Sequence, residues 1–220
     1  AGADAVLVGS AIMKAKDETQ KIHELLSATG ETKVKICGIT NVDDAVVCGR
    51  EGADYLGYIF NYPYSSRSVN PRMARDIIAR TKRDFPRLRH VGVFVNEPSA
   101  SILDIIKLCD LDIVQLHGNE STNECVELRR ATEVWKAIVV KDATDFETAQ
   151  KYRDVVDNIL IDAGRGDGRP LKIDIPNGVA VDILAGGLTL ATVGDMVRLF
   201  KPTIVDVSSG VEVSPGKKDL

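Results

Sequence analysis

Cysteine is scarce and scattered in this 220-residue chain. Cys37, Cys48, Cys109 and Cys125 lie far apart with no C-x-x-C pair, which fits neither a zinc ribbon nor a disulfide framework and suits a reducing cytoplasm. There is no H-E-x-x-H and no cluster of His and Cys, so no metal site is expected. No apolar run approaches the ~20 residues of a membrane span, and no basic segment leads into an apolar one at the N-terminus. Charge of one sign is lacking too: 28 basic and 32 acidic residues leave a net charge of −4 without a long like-charged run. That balance argues against a nucleic-acid binder and requires any anionic ligand to be held locally. No low-complexity linker divides the chain.

What remains is 44% hydrophobic and 27% charged, a composition able to form a large core, at a length that α/β barrels occupy as one domain. Eight short runs rich in Val, Ile and Leu recur: Lys33–Cys37, Ala53–Phe60, Arg89–Val95, Asp112–His117, Val134–Val140, Asn158–Asp162, Gly178–Ala185 and Thr203–Ser208. Helix-like stretches separate them at Val42–Glu51, Pro71–Arg83, Ser99–Leu108, Ser121–Ala131, Asp145–Tyr152 and Leu190–Phe200. Asn41, Asn70 before Pro71, and Asn96 to Ser99 read as helix starts. The sixth connection, Arg165–Pro176, carries glycines and prolines with weak period and reads as an ordered loop. This alternation signals a parallel sheet. Length does not separate a (β/α)8 barrel from a doubly wound sheet. The barrel is favoured because no G-x-G-x-x-G follows the first strand and because polar residues collect at the C-terminal ends of the runs.

Strand parity puts Lys33, Lys35 and Cys37 on one face and Val34 and Ile36 on the other. The last strand sets Ile204, Asp206 and Ser208 on one face, so barrel closure brings Lys35 beside Asp206 below Cys37. Taken singly, Cys37 reads first as a small buried hydrophobe; its place above an ammonium favours thiolate character. Asp162 ends the sixth run, either as a turn former or as an acid facing Cys37 across the mouth. Gly186 and Gly187 after the seventh run, with Ser208, Ser209 and Gly210 after the eighth, have the placement of a backbone phosphate site. Arg67 is either a solvated arginine or a planar fork for a carboxylate. Gln115 and His117 share a face, where His117 is as readily a core histidine as a catalyst. Trp135 reads as packing, and His90 and His23 show no evident partner.

Together these residues resemble the phosphoribosylanthranilate isomerase family. The resemblance runs from Lys33 to Asp219. It includes Lys35-Ile36-Cys37-Gly38-Ile39-Thr40, Gly52-Ala53-Asp54-Tyr55-Leu56-Gly57, Ser65-Ser66-Arg67, Val91-Gly92-Val93-Phe94-Val95-Asn96, Gln115-Leu116-His117-Gly118, Leu184-Ala185-Gly186-Gly187-Leu188 and Val205-Asp206-Val207-Ser208-Ser209-Gly210-Val211-Glu212. It implies a TIM barrel that carries out an Amadori rearrangement of N-(5-phosphoribosyl)anthranilate without cofactor or metal. Cys37 would be the general base, Asp162 the general acid and Arg67 the anthranilate-carboxylate ligand. Gln115, His117 and Asp206 would complete the substrate site. The backbone at Gly186, Gly187, Ser208, Ser209 and Gly210 would hold the phosphate. Where the family reads Gly-Gly-Thr-Gly, this chain has Gly164-Arg165-Gly166-Asp167-Gly168, and it stops at Leu220, where the family's final helix should begin.

Residues 1–32 read as an extension ahead of a barrel at 33–220. Ala1 to Ser10 and the helix after it resemble the last βα unit of indole-3-glycerol phosphate synthase, which makes a fused or adjacent synthase the expected partner, besides the phosphorylated substrate. An engineered or permuted chain is the other reading. Competing functions are a lyase related to that synthase, or an inactive barrel fragment that binds phosphorylated ligands. The helix Ala11–Leu26 presents Ile12, Ala15, Thr19, Ile22, Leu25 and Leu26 at helical spacing. It is expected to cover the outer faces of the first and eighth strands in place of a C-terminal helix.

Overall fold

The computed structural model describes residues 22, 24–162, 176 and 179–219. The eight runs become eight strands: β1 (Lys33–Cys37), β2 (Tyr55–Ile59), β3 (Arg89–Phe94), β4 (Ile113–Leu116), β5 (Glu133–Val139), β6 (Asn158–Asp162), β7 (Ile183–Ala185) and β8 (Ile204–Val207). They close into one barrel in sequence order, every neighbouring pair parallel. All eight C-terminal ends therefore open on the same mouth. The outer helices are α1 (Val42–Glu51), α2 (Pro71–Asp84), α3 (Ser99–Cys109), α4 (Thr122–Arg129), α5 (Thr144–Gln150) and α6 (Leu190–Phe200).

Local chemistry explains most boundaries. Asn41 and Asn70 cap α1 and α2 by accepting from Asp44 N and Arg72 N, each at 2.9 Å; a cap of this kind contributes about 1 kcal/mol. Helix α2 then buries Ala74, Ile77, Ile78 and Thr81, the i, i+3, i+4, i+7 positions of one apolar stripe. The start signal before α3 acts differently from expectation. Pro98 is the cap residue and makes no side-chain bond, because Asn96 uses its Oδ1 to accept from Asn119 N at 2.6 Å in the loop after β4. The seventh run also shortens to Ile183–Ala185. Val179 N donates to the Pro176 carbonyl at 3.1 Å, and the Asp182 carboxylate accepts from Ile159 N at 2.9 Å. The sixth connection, apart from Pro176, lies outside the described residues.

Period-2 burial divides the apolar residues into two layers. Tyr55, Val91, Ile113, Trp135, Leu160, Ile183 and Ile204 fill the barrel. Val34, Ile36, Val205 and Val207 face the other way into the layer between strands and helices. Trp135 is fully buried in the inner layer and donates its Nε1 to Glu133 at 2.7 Å. Residues 24–29 are helical. Ile22 and Leu25, both fully buried, belong to the same outer apolar layer as the outward residues of β1 and β8. Ile12 and His23 lie outside the described residues. After β8 come a 3-10 turn, Ser209–Val211, and a hairpin of β9 (Glu212–Ser214) and β10 (Lys217–Lys218).

Candidate active site

The register Lys35↔Asp206 between β1 and β8 forms the ion pair that strand parity anticipates, with Lys35 Nζ 2.9 Å from Asp206 Oδ2. Burial alone would pull the Lys35 ammonium down, but Asp206 and then Cys37 outweigh it and hold it above its ordinary value. Cys37, 8% exposed, ends β1 beside this ammonium. Burial pushes its thiol up, and the opposing pull of Lys35 is the smaller effect. Gly57 on β2 makes the arrangement possible: a Cβ there would stand 2.9 Å from Cys37 Sγ and 3.0 Å from Lys35 Nζ. Sequence reading missed this role because a strand glycine carries no chemical label of its own.

On β4, the Gln115 amide nitrogen lies 3.0 Å from His117 Nδ1, and His117 Nε2 lies 3.2 Å from Asp162 Oδ2 on β6. Asp162 is 22% exposed. Beneath His117, Lys136 and Glu120 form a buried pair at 3.1 Å. Lys136 also donates to the carbonyls of Leu116 and Gly118, at 3.2 and 2.7 Å. Glu120 accepts from Asn96 N and Gly118 N. The loop that carries His117 is therefore anchored at several backbone points.

Cys37, Arg67, Gln115, His117, Asp162, Gly186, Gly187, Asp206, Ser208 and Ser209 all line one cavity of about 200 Å³ at the mouth. Gly210 is not in its wall; loop 8 passes so close to loop 7 there that a Cβ would collide with the Leu188 carbonyl oxygen. Gly186 and Gly187 have φ values of 98° and 66°, a left-handed backbone that only glycine adopts without strain. Two buried oxygens at this site, Gln115 Oε1 and Asp206 Oδ1, have no hydrogen-bond partner among the described residues. Such orphaned acceptors are costly unless a ligand or water satisfies them.

Arg67 departs from the sequence reading in one respect: its fork already holds a carboxylate, that of Glu212. Arg67 Nε and Nη2 donate to Glu212 at 2.9 and 2.6 Å, which holds the guanidinium above its ordinary value. Burial pushes the Glu212 carboxyl up, but Arg67 and then Lys218 outweigh it and hold it below the usual carboxylate range. Neither Glu212 nor Lys218 stood out in the sequence, because both follow the last barrel strand and no parity argument reaches them. His90 is not partnerless either: Tyr58 Oη lies 3.2 Å from its Nδ1 and Thr81 Oγ1 3.4 Å from its Nε2, away from the mouth.

A closed eight-stranded parallel barrel with its ionisable groups gathered at the C-terminal mouth defines a (β/α)8-barrel enzyme. The comparisons narrow this class. The family model for N-(5'-phosphoribosyl)anthranilate (PRA) isomerase matches residues 34–220, and the chain belongs to that family. It is 44% identical over 195 residues to the N-(5'-phosphoribosyl)anthranilate isomerase of Pelobacter propionicus, covering 85% of this chain and 90% of the relative. The crystal structure of phosphoribosyl anthranilate isomerase from Thermotoga maritima superposes with a TM-score of 0.73 at 35% identity, over 85% of this chain and 92% of that one. A phosphoribosyl anthranilate isomerase in complex with reduced 1-(o-carboxyphenylamino)-1-deoxyribulose 5-phosphate gives the same TM-score at 38% identity, over 85% and 92% of the two chains.

Proposed function

We propose that this protein is a tryptophan-pathway isomerase converting N-(5-phosphoribosyl)anthranilate to 1-(2-carboxyphenylamino)-1-deoxyribulose 5-phosphate, with Cys37 as base and Asp162 as acid. The observation that carries the reading is that a β1 thiol and a β6 carboxyl line one small cavity in a chain of this family. Asp162 protonates the ribose ring oxygen, the C1–O bond breaks, and the nitrogen lone pair forms the C1=N iminium. The Cys37 thiolate removes the C2 proton, and the electron pair flows into C1=C2 while the C=N pair returns to nitrogen. Protonation at C1 and loss of the C2 hydroxyl proton leave the ketone. Atoms and electrons balance, so no cofactor is required.

The environment of each group fits its task. Burial disfavours the Cys37 thiolate until the iminium develops, after which a second positive charge joins Lys35 in stabilising it. Asp162, 22% exposed, stands 3.2 Å from His117 Nε2 at the cavity wall, where a substrate can reach it. The orphaned Asp206 Oδ1 and Gln115 Oε1 accept from substrate hydroxyl or amine N–H groups. Arg67 takes the anthranilate carboxylate, and backbone amides at Gly186, Gly187, Ser208, Ser209 and Gly210 hold the phosphate.

Residues 1–32 we read as an extension related to the last βα unit of indole-3-glycerol phosphate synthase, with that synthase fused or adjacent. The buried Ile22 and Leu25 support its helix as cover for the β8–β1 seam. Four buried free thiols fit a cytoplasmic location, and no described helix is long and apolar enough to cross a membrane.

Single-turnover mixing with freshly made N-(5-phosphoribosyl)anthranilate is expected to yield the deoxyribulose product. A folded protein that binds but does not convert this substrate would support the inactive-fragment reading, and formation of indole-3-glycerol phosphate would support the lyase.

A further inference from the structure

The hairpin after β8 carries two buried ions that the proton transfers do not use. Glu212 opens β9 at 4% side-chain exposure, and Lys218 closes β10 at 0%. Lys218 Nζ donates to Glu212 Oε1 at 2.9 Å, to the Cys37 carbonyl at 2.5 Å and to the Ser208 carbonyl at 3.3 Å. Its backbone N–H donates to Asp44 Oδ2 at 2.9 Å. One ammonium thus joins the ends of β1 and β8 to the hairpin. Glu212 in turn grips the Nε–Nη2 edge of Arg67, leaving the Nη1–Nη2 edge for a ligand. Gly38 lies under the same side chain, where a Cβ would stand 2.7 Å from Arg67 Cδ.

From this geometry we infer that Glu212 and Lys218 are positioning residues that set where the substrate's aromatic carboxylate binds, Glu212 by occupying one edge of Arg67 and Lys218 by holding Glu212 in place. The inference rests on Arg67 being the carboxylate ligand. Two physical reasons support it. An arginine already gripped on one edge has lost its rotamer freedom before the ligand arrives, so binding does not have to order it. Lys218, by donating to Glu212 Oε1 at 2.9 Å, also keeps that carboxylate from swinging off the Arg67 edge, so the guanidinium is presented in one orientation.

The test uses the whole chain and two probes, the reduced deoxyribulose product analogue and inorganic phosphate, with binding read by calorimetry beside steady-state kinetics. Lys218→Met and Glu212→Gln are each expected to weaken the analogue about tenfold or more and to raise KM, with kcat changed far less and phosphate affinity unchanged. In an Arg67→Ala background neither is expected to weaken the analogue further, because their effect runs through Arg67. Wild-type analogue affinity in both variants, equal loss of phosphate affinity, or full additivity with Arg67→Ala overturns the inference. An Arg67→Ala protein that keeps wild-type analogue affinity overturns the underlying reading of Arg67 instead. Should Lys218→Met fail to fold, Glu212→Gln decides alone, since it preserves volume and removes only the charge.

Discussion

At the N-terminal end of the barrel, Asp54, Asp112, Asp157 and Asp182 each stand one residue before a strand. Each accepts a backbone N–H from the preceding strand: Val34, His90, Val134 and Ile159, at 2.8 or 2.9 Å. Three of them also pair with a cation: Asp112 with Lys82, Asp157 with Arg129 and Asp182 with Arg153. At the C-terminal mouth, Asp206 gives one oxygen to Lys35 and leaves the other without a partner among the described residues, and Asp162 faces His117. The same side chain therefore stitches strands at one end and lines the cavity at the other. Volume does not make the distinction. The hollow at the N-terminal end is the larger, about 750 Å³ against about 200 Å³, but Arg89 and Glu133 in its wall are paired to each other at 2.8 Å.

The comparison breaks if mouth residues prove structural. Cys37→Ala and Asp162→Ala are each expected to lower turnover by about 10²- to 10⁴-fold, the usual contribution of a general acid or base, with little change in melting temperature. Near-normal kcat in either would remove the proposed chemistry. A smaller loss, of about a hundredfold, is expected for Gly57→Ala, because the added Cβ displaces Cys37 Sγ and Lys35 Nζ. Unchanged kinetics there would show that the thiol does not need its present position.

Away from the mouth, titration should act on stability and leave chemistry alone. Burial pushes the His90 imidazole down to about 4, whereas an unfolded histidine takes up its proton near 6.5. Between these values the unfolded chain binds more protons, so stability is full above about pH 6.5 and falls as the pH drops toward 4. From pH 7 to pH 5 the loss attributable to His90 is about 2 kcal/mol; denaturant titrations of wild type and His90→Gln should differ in this slope. The smallest effect expected is that of Asp54→Ala, which leaves the Val34 N–H without its acceptor and lowers stability by about 1 to 2 kcal/mol. Its folded fraction should turn over normally, and a kcat defect would erase the distinction between the two ends.

Much of this was legible along the chain because barrel strands obey a short-range rule. The ends of β1 and β6 and both ends of α1 and α6 fall where the apolar runs and cap residues put them, and period-2 parity was enough to bring Lys35 to Asp206. The Asn96 cap failed because that side chain had a competing acceptor role in another loop, a choice local propensity cannot see. His90 looked unpartnered because Tyr58 and Thr81, 32 and 9 residues away, meet it only after α2 packs on the sheet.

Hydrophobic periodicity, glycine and asparagine placement and the order of the motifs determined by themselves the strands, the helices and the end of the barrel where chemistry gathers, since each depends on neighbours a few residues apart. The tertiary structure alone decided that Gly57 makes room for the thiol, that His117 stands against Asp162, and that Glu212 and Lys218 reach back to Arg67 and Cys37. Those contacts span from 20 to about 180 residues of chain. The longest of them, from Glu212 and Lys218, exist because barrel closure brings β1 beside β8, and no local preference encodes a distance that ring closure creates.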